Sequence, residues 1–169
     1  MEQRETEQRN GTNGIEMERI LTRHGYHSPV PVGEGSFSRV YRVTDGSGGF
    51  RACRVSDVTE QWLRECENWQ EIRHPLFPGY VEHWMEGGKG YLIMEFWDGM
   101  DLRKMLERRG RLTPGHAAWI ADQIAEGIQY LHERQHPFLY RDLKPENIRI
   151  RVNGRVGILD LGCLWNREE

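Results

Sequence analysis

The apolar residues of this chain fall first into short β-type segments and later into helical stripes. β patterns flank a glycine-rich turn within residues 32–43, and further strands are predicted at 50–55, 81–85 and 91–95. The glycines of segment 86–90 predict a hairpin turn between the last two strands. The first half of the chain is therefore predicted to be rich in β-structure.

A helix is predicted over residues 58–72, where apolar residues recur at steps of three and four. The stripe consists of Val58, Trp62, Glu65, Trp69 and Ile72. Glu65 is a carboxylate within an apolar stripe, and a buried carboxylate needs a cation or strong hydrogen-bond donors. Arg54, on the preceding strand, is the natural partner. In the alternative interpretation, Glu65 lies at the edge of the stripe and reaches water.

Two more helices are predicted before residue 132. The first covers 101–108, and the second starts at Thr113 as cap with Pro114 in its first position. The second helix has one apolar face, formed by Ile120, Ile124, Ile128 and Leu131. Beyond it, Asn153-Gly154 predicts a type I′ hairpin between strands 148–152 and 155–159.

Composition narrows the class of protein. The chain has 169 residues, 29% charged and 37% hydrophobic, which is enough for one sizeable core or two small lobes. It contains no stretch of eighteen apolar residues that would span a membrane, and it begins without an apolar signal core. A net charge of −3 gives no electrostatic case for nucleic acid. The cysteines Cys53, Cys66 and Cys163 lack metal-type spacing and predict reduced thiols in a cytoplasmic protein.

Residues 140–147, Tyr-Arg-Asp-Leu-Lys-Pro-Glu-Asn, form a charged loop between two apolar segments. Asp142 offers an acceptor for a hydroxyl proton, Lys144 a cation for a phosphoryl oxygen, and Asn147 an amide oxygen for a metal. Any one of these residues alone would be typical of a solvated polar loop. The ordered set favours phosphoryl transfer.

This loop resembles the catalytic loop of protein kinases, H-R-D-L-x-x-x-N, with Tyr140 in the place of the histidine. Asp160-Leu161-Gly162 resembles the kinase D-F-G motif, with leucine in place of phenylalanine. The resemblance implies that Asp142 and Lys144 are catalytic, and that Asn147 and Asp160 bind Mg²⁺. Because Lys144 follows Asp142 by two positions, it favours a protein kinase over a small-molecule phosphotransferase.

The glycine-rich turn resembles the kinase loop G-x-G-x-x-G-x-V, with Ser38 in the place of the third glycine. Residues 50–55 look like the V-A-I-K strand, with Arg54 in the place of the lysine. By the same resemblance, Met94 would stand beside the adenine as gatekeeper, although a plain core role suits it equally well. The residues that the resemblance implies in ATP binding are Gly33, Gly35, Ser36, Val40, Ala52, Arg54, Glu65, Met94, Glu95 and Trp97.

The resemblance covers roughly residues 26–165 and implies an α+β, protein-kinase-like two-lobe fold. We expect a polar, disordered leader over 1–25, within which 16–24 could form a short helix. A β-rich N-lobe is expected over 26–96, and a hinge with an incomplete C-lobe over 97–169. The implied function is a serine/threonine protein kinase that uses ATP and Mg²⁺ and acts on a protein substrate.

Two departures support an alternative function. Arg54 keeps the charge of the kinase lysine but not its shape, and Arg149 stands where an apolar residue usually floors the adenine. Both features are compatible with a catalytically impaired kinase that acts as a nucleotide-binding or docking module. A third possibility is a fragment of a longer kinase, since only seven residues follow Gly162.

Overall fold

The computed structural model describes residues 14–35, 38–162 and 164–166 and shows a mixed α+β fold, as predicted. Helix α1 includes residues 14–23. The other helices are α2 (Glu60–Glu71), α3 (Leu102–Arg109) and α4 (Pro114–His132). The strands are β1 (His27–Glu34), β2 (Ser38–Thr44), β3 (Phe50–Asp57), β4 (Tyr80–Glu86), β5 (Lys89–Glu95), β6 (Gly99–Asp101), β7 (Phe138–Tyr140), β8 (Ile148–Arg151), β9 (Val156–Ile158) and β10 (Leu164–Asn166).

These elements form two compact units. The first includes the chain up to Val58 together with Glu82–Ile93, and the second includes Thr59–Val81 and the chain from Met94 onward. Helix α2 belongs to the second of these units, and the lobes at 26–96 and 97–169 stay a prediction. None of the helices in the described part of the chain is both long and apolar enough to cross a membrane.

The first unit is organised by a five-stranded sheet with the order β1-β2-β3-β5-β4. β1 and β2 are antiparallel, as are β2 and β3, which confirms the strand-to-strand context of the glycine-rich turn. The β2–β3 turn is closed by the carboxylate of Asp45, which accepts hydrogen bonds from the amides of Ser47 (3.0 Å) and Gly49 (2.9 Å). Gly48 adopts φ +83° there, a conformation that glycine tolerates without steric cost.

Helix α1 contributes to the core of the first unit. Ile20 and Leu21 are buried in a cluster with Tyr26, Val43 and Cys53. The helix predicted at 16–24 is therefore present, and this part of the predicted leader is ordered by burial of its apolar residues. The expected disorder of residues 1–13 concerns positions outside the described residues.

Helix α2, in the second unit, begins after its N-cap residue, Thr59. The hydroxyl of Thr59 accepts a hydrogen bond from the amide of Trp62 at 3.1 Å. The buried residues of the helix are Trp62, Glu65, Cys66 and Trp69, followed by Ile72 at its end. Val58 was predicted to belong to this stripe, but it precedes the cap, outside the helix, and is exposed.

Helices α3 and α4 follow the predicted pattern. Asp101 caps α3, and Thr113 caps α4 with Pro114 in its first turn. In α4, Ile120 and Leu131 are buried, while Ile124 and Ile128 are half-buried. Gly127 allows α4 to pack closely against Ile158 and Leu76, because a Cβ atom at Gly127 would lie 3.2 Å from Ile158 and 3.3 Å from Leu76.

Two small sheets complete the second unit. One has the order β6-β8-β9, and in the other β7 pairs with β10. A hairpin joins β8 to β9, as predicted, but its turn is not of type I′. A type I′ turn needs a positive φ at both Asn153 and Gly154, whereas only Gly154 has one, +83°. The turn instead closes one residue earlier, where Gly154 N donates to Arg151 O at 2.9 Å. The three-residue strands β6, β7 and β10 were not predicted from the sequence.

Candidate functional site

The predicted catalytic loop connects β7 to β8 in the second unit and ends in a 3₁₀ turn, Pro145–Asn147. Within this loop, Lys144 Nζ contacts Asp142 Oδ2 as a charge-assisted hydrogen bond. Asn147 Nδ2 lies 3.4 Å from the same carboxylate oxygen. The structure therefore brings together the three residues that the sequence singled out, around the carboxylate of Asp142.

Asn147 is held through both its side chain and its backbone. Its side chain is buried, and Nδ2 donates to the carbonyl oxygen of Asp142 at 2.9 Å. Its backbone amide donates to Lys144 O at 3.0 Å, and its carbonyl accepts from Leu159 N at 2.9 Å. The last bond joins the catalytic loop to Leu159, which lies between the end of β9 and Asp160.

Asp160 is held in a tight turn. Its Oδ1 accepts a hydrogen bond from Gly162 N at 2.9 Å, an Asx-type arrangement that fixes the carboxylate relative to the backbone. Helix α2 supports this turn, since Gln61 Nε2 donates to Gly162 O at 3.1 Å. A Cβ atom on Gly162 would lie 3.4 Å from the carboxylate carbon of Glu65.

Glu65 is buried, with 4% of its surface exposed. This finding confirms the prediction that Glu65 belongs to the inward stripe and excludes the alternative in which it reaches water. Its carboxylate lies against Gly162 of the Asp-Leu-Gly turn, a contact that the sequence did not indicate. The proposed pairing with Arg54, a residue of the other unit, stays a prediction.

The side chains of Asn147 and Asp160 suit a magnesium ion. Both offer oxygen ligands, and the donation from Asn147 Nδ2 to Asp142 O orients the amide so that Oδ1 remains an acceptor for a cation. Mg²⁺ usually keeps several waters and is held by one or two carboxylates plus phosphate oxygens. Within the described ranges there is no group of three or more His, Cys, Asp and Glu side chains that could hold a metal. The oxygen atoms of Asn147 and Asp160 fit this manner of holding Mg²⁺.

The segment around Glu95 is held by hydrogen bonds of both its side chain and its backbone. Met94 and Trp97 are buried, which agrees with a core role for Met94, while its role beside the adenine stays a prediction. The Glu95 carboxylate accepts hydrogen bonds from Gly79 N (3.0 Å) and from Trp97 Nε1 (3.2 Å). The backbone amide of Glu95 donates to Gly79 O at 2.8 Å. Sequence reasoning assigned a role to the backbone of this segment and missed the role of its side chains.

Arg149 lies in β8, opposite Asp101 of β6 and Gly157 of β9. Its Nη1 donates to Gly99 O at 2.8 Å. Burial lowers the pKa of the guanidinium, and the carboxylates of Asp101 and Asp98 oppose this shift. The structure thus accommodates the unexpected charge by a backbone hydrogen bond and nearby acidic groups.

In the first unit, the described residues that the resemblance implies in ATP binding lie on β1–β3, except Gly35, which follows β1. Gly33 pairs with Val40 across β1 and β2, and Val40 pairs with Arg54 across β2 and β3. Gly35 N donates to Ser38 O at 2.8 Å, which closes the glycine-rich turn. Ala52 is buried in β3. Ser36 lies outside the described residues.

Comparison with known proteins agrees with this geometry. The protein kinase domain family matches residues 26–167. Aurora kinase B of Xenopus tropicalis is 31% identical over 141 residues, which cover 78% of this chain and 39% of that protein. Cell division control protein 2 homolog 3 of Trypanosoma brucei brucei is 36% identical over 140 residues, which cover 78% of this chain and 44% of that protein.

The chain belongs to the protein kinase domain family. This membership confirms the resemblance that the catalytic loop, the glycine-rich turn and the Asp-Leu-Gly motif indicated. The chain spans less than half the length of these two relatives.

Proposed function

We propose that this chain binds ATP with Mg²⁺ and, as a serine/threonine protein kinase, transfers the γ-phosphoryl group to a protein hydroxyl. The observation that carries this proposal is the arrangement of Lys144 and Asn147 around the Asp142 carboxylate. Phosphoryl transfer depends mostly on positioning and on electrostatic stabilisation, and this loop supplies an acceptor, a cation and an oriented amide. Family membership and the two relatives support the same class of reaction.

Each residue of the loop has a distinct role in the proposed reaction. Asp142 orients the substrate hydroxyl and accepts its proton as the new bond to phosphorus forms. Lys144, which contacts Asp142 in this structure, neutralises negative charge on the transferred phosphoryl group. Asn147 and Asp160 would hold Mg²⁺, which, when bound, neutralises charge on the phosphate oxygens.

The family resemblance also gives residues of the first unit a role toward the nucleotide. Backbone amides near Gly33 and Gly35 would approach phosphate oxygens, because glycine leaves the space that a side chain would fill. Arg54 would bind phosphate in the place of the family's lysine. Its planar, forked guanidinium differs in shape from an ammonium group, so we expect Arg54→Lys to increase the rate of transfer.

A second candidate function is a docking module with weak or absent turnover. The observation that favours it is Arg149, a partly buried guanidinium at the position where the family resemblance places an apolar contact to the base. A charged group at this place costs desolvation free energy whenever an apolar base edge covers it. The protein partner of such a module, like the substrate of the kinase, is defined here only as a protein.

Thermal unfolding of the chain with and without ATP and Mg²⁺ distinguishes the two functions. A ligand that binds only the folded state at about one hundred times its Kd adds about 2.7 kcal/mol to the free energy of unfolding. We expect a rise in Tm that requires Mg²⁺ and that Asp160→Asn abolishes. Asp122→Asn, an exposed aspartate on α4, is the matched control and should keep the rise.

A cooperative transition that ATP and Mg²⁺ do not shift would contradict nucleotide binding and support the docking module. If the shift is present, radiolabelled phosphate transfer to a generic protein substrate follows. Loss of transfer in Asp142→Asn, with the ATP-dependent shift in Tm retained, would assign Asp142 to the chemical step rather than to binding.

A further inference from the structure

The β8–β9 hairpin has one apolar and one polar face. Paired residues of antiparallel strands lie on the same face, so Arg149 shares a face with its partner Gly157, and Arg151 lies on that face two residues further along β8. The opposite face carries Ile148 and Ile158, both buried. The face of Arg149 and Gly157 is therefore not part of the apolar interior formed by the isoleucines.

The indole of Trp97 lies on this polar face. A Cβ atom on Gly157 would be 2.2 Å from Cζ3 and 2.6 Å from Cε3 of Trp97, so the ring rests directly on the backbone of Gly157. The guanidinium of Arg151 lies 4.2 Å from the centre of the Trp97 ring, a cation–π contact. Trp97 Nε1 donates to the carboxylate of Glu95 at 3.2 Å.

These three contacts restrain Trp97 at its ring, through Gly157 and Arg151, and at its indole N–H, through Glu95. Only 7% of its surface is exposed. The Glu95 carboxylate that receives the indole N–H also accepts from Gly79 N, so the indole is linked to the backbone of two segments. On the other side of Trp97 along the chain, Arg149 holds Gly99 O at 2.8 Å. The segment from Glu95 to Gly99 is thus fixed to the hairpin at Gly157, at Arg151 and at Arg149.

We propose that Trp97 is a positioning residue for the nucleobase: its indole, seated on Gly157, holds the backbone of segment 95–99 in place to bind the edge of the base. This inference rests on the proposed nucleotide binding and adds to it a side-chain role that the backbone contacts alone do not require. Preorganisation of a binding edge increases affinity because less conformational freedom is lost when the ligand binds.

A substitution at Gly157 tests the role of Trp97 most directly. Gly157→Ala places a methyl group inside the indole ring, so Trp97 must leave its seat. Trp97→Phe is the milder variant, since it keeps a flat ring and removes the N–H that Glu95 accepts. Gly115→Ala, in α4, is the matched control because a Cβ atom there would have no neighbour within 4 Å.

Isothermal titration with two probes separates positioning from general damage. Adenosine carries the base without phosphates, and tripolyphosphate with Mg²⁺ carries the phosphates without a base. We expect Gly157→Ala to weaken adenosine binding about tenfold and Trp97→Phe about threefold, because a lost or loosened edge contact costs on the order of 1 kcal/mol. Tripolyphosphate affinity should remain within about twofold of wild type in both variants, and Gly115→Ala should change neither affinity.

Unchanged adenosine affinity in a folded Gly157→Ala variant would overturn the proposal, as would an equal loss for both probes. If Gly157→Ala lacks a cooperative unfolding transition, Trp97→Phe decides by the same comparison. Wild-type protein that binds tripolyphosphate but not adenosine would overturn the role of Trp97 and leave phosphate binding intact. Wild-type protein that binds neither probe would overturn the proposed nucleotide binding itself, and with it the role of Trp97.

Discussion

Gly99 lies where the backbone of β8 leaves no room for a side chain. Its φ is +142°, in a region that only glycine adopts readily, and a Cβ atom there would lie 2.2 Å from the carbonyl oxygen of Ile150 and 2.8 Å from Cα of Arg151. Both neighbours are backbone atoms of β8, so neither can move away by changing a rotamer. Gly99→Ala therefore requires β6 to separate from β8 or the backbone to change conformation.

The cost of this substitution has two parts. The unfavourable φ contributes about 1–3 kcal/mol. Separation of β6 from β8 disrupts ladder hydrogen bonds and the bond from Arg149 to Gly99 O, worth about 1 kcal/mol each. We expect Gly99→Ala to lower the free energy of unfolding of the second unit by about 3–5 kcal/mol.

Gly110→Ala is the matched control, because Gly110 also has a positive φ, +75°, but a Cβ atom there would meet nothing within 4 Å. It should cost only the conformational penalty of a backbone at φ +75° and ψ −60°, about 1–3 kcal/mol. Urea unfolding followed by circular dichroism gives both values, with equal m-values as the check that the unfolded states are comparable. If Gly99→Ala costs no more than Gly110→Ala, the close contact with Ile150 does not restrain β6, and the reasoning is wrong.

Three further outcomes follow from burial and charge. Glu65→Gln should cost less unfolding free energy in urea than Glu65→Lys, since a buried amide keeps hydrogen bonds while a lysine must be accommodated next to Gly162; equal, negligible costs would contradict the burial of Glu65. Burial raises the pKa of the Cys53 thiol to about 12, so iodoacetamide should modify Cys53 only after urea opens the first unit, and rapid labelling of the native chain would refute this. Burial tends to raise the pKa of Asp101, but hydrogen bonds from Lys104 outweigh it and leave the pKa below its ordinary value. Asp101 stabilises the folded chain at pH values above the pKa of its carboxyl in the unfolded chain. This stabilisation is lost as the pH falls through the lower pKa of the folded chain. The unfolding midpoint of Asp101→Asn should therefore change less with pH than that of the wild type between about pH 5 and pH 2.

The parts of the fold that could be predicted from the sequence are those set by nearby residues. The structure confirms Thr113 as the cap of α4, Pro114 in its first turn and a hairpin near Asn153-Gly154, all of which depend on contacts within a few positions. The predicted turn type, I′, was wrong, because Asn153 does not have the positive φ that this turn requires. The buried Glu65 could be predicted because helical spacing places it between tryptophans. Val58 was misassigned because spacing alone does not reveal where a helix begins, and Thr59 caps α2 immediately after it.

Features set by distant residues could not be predicted. The strands β6, β7 and β10 have only three residues each, too few for a pattern, and they exist through pairing with segments far along the chain. Helix α1 is ordered because Ile20 and Leu21 pack in a cluster with other buried residues, which are Tyr26, Val43 and Cys53. No pattern within the helix itself predicts these contacts. Composition suggested a leader there, whereas tertiary burial decided the outcome for residues 14–23.

The same distinction separates the two parts of the candidate site in the second unit. The catalytic loop is encoded locally, since Asp142, Lys144 and Asn147 contact one another across five positions or fewer. The conformation of segment 95–99 depends on a contact between distant residues, because Trp97 packs on Gly157, far along the chain. A motif comparison therefore detects the catalytic loop and overlooks the indole. We therefore expect substitutions at Gly157 to weaken binding of the nucleobase and to leave phosphate binding unchanged, although Gly157 belongs to no recognised kinase motif.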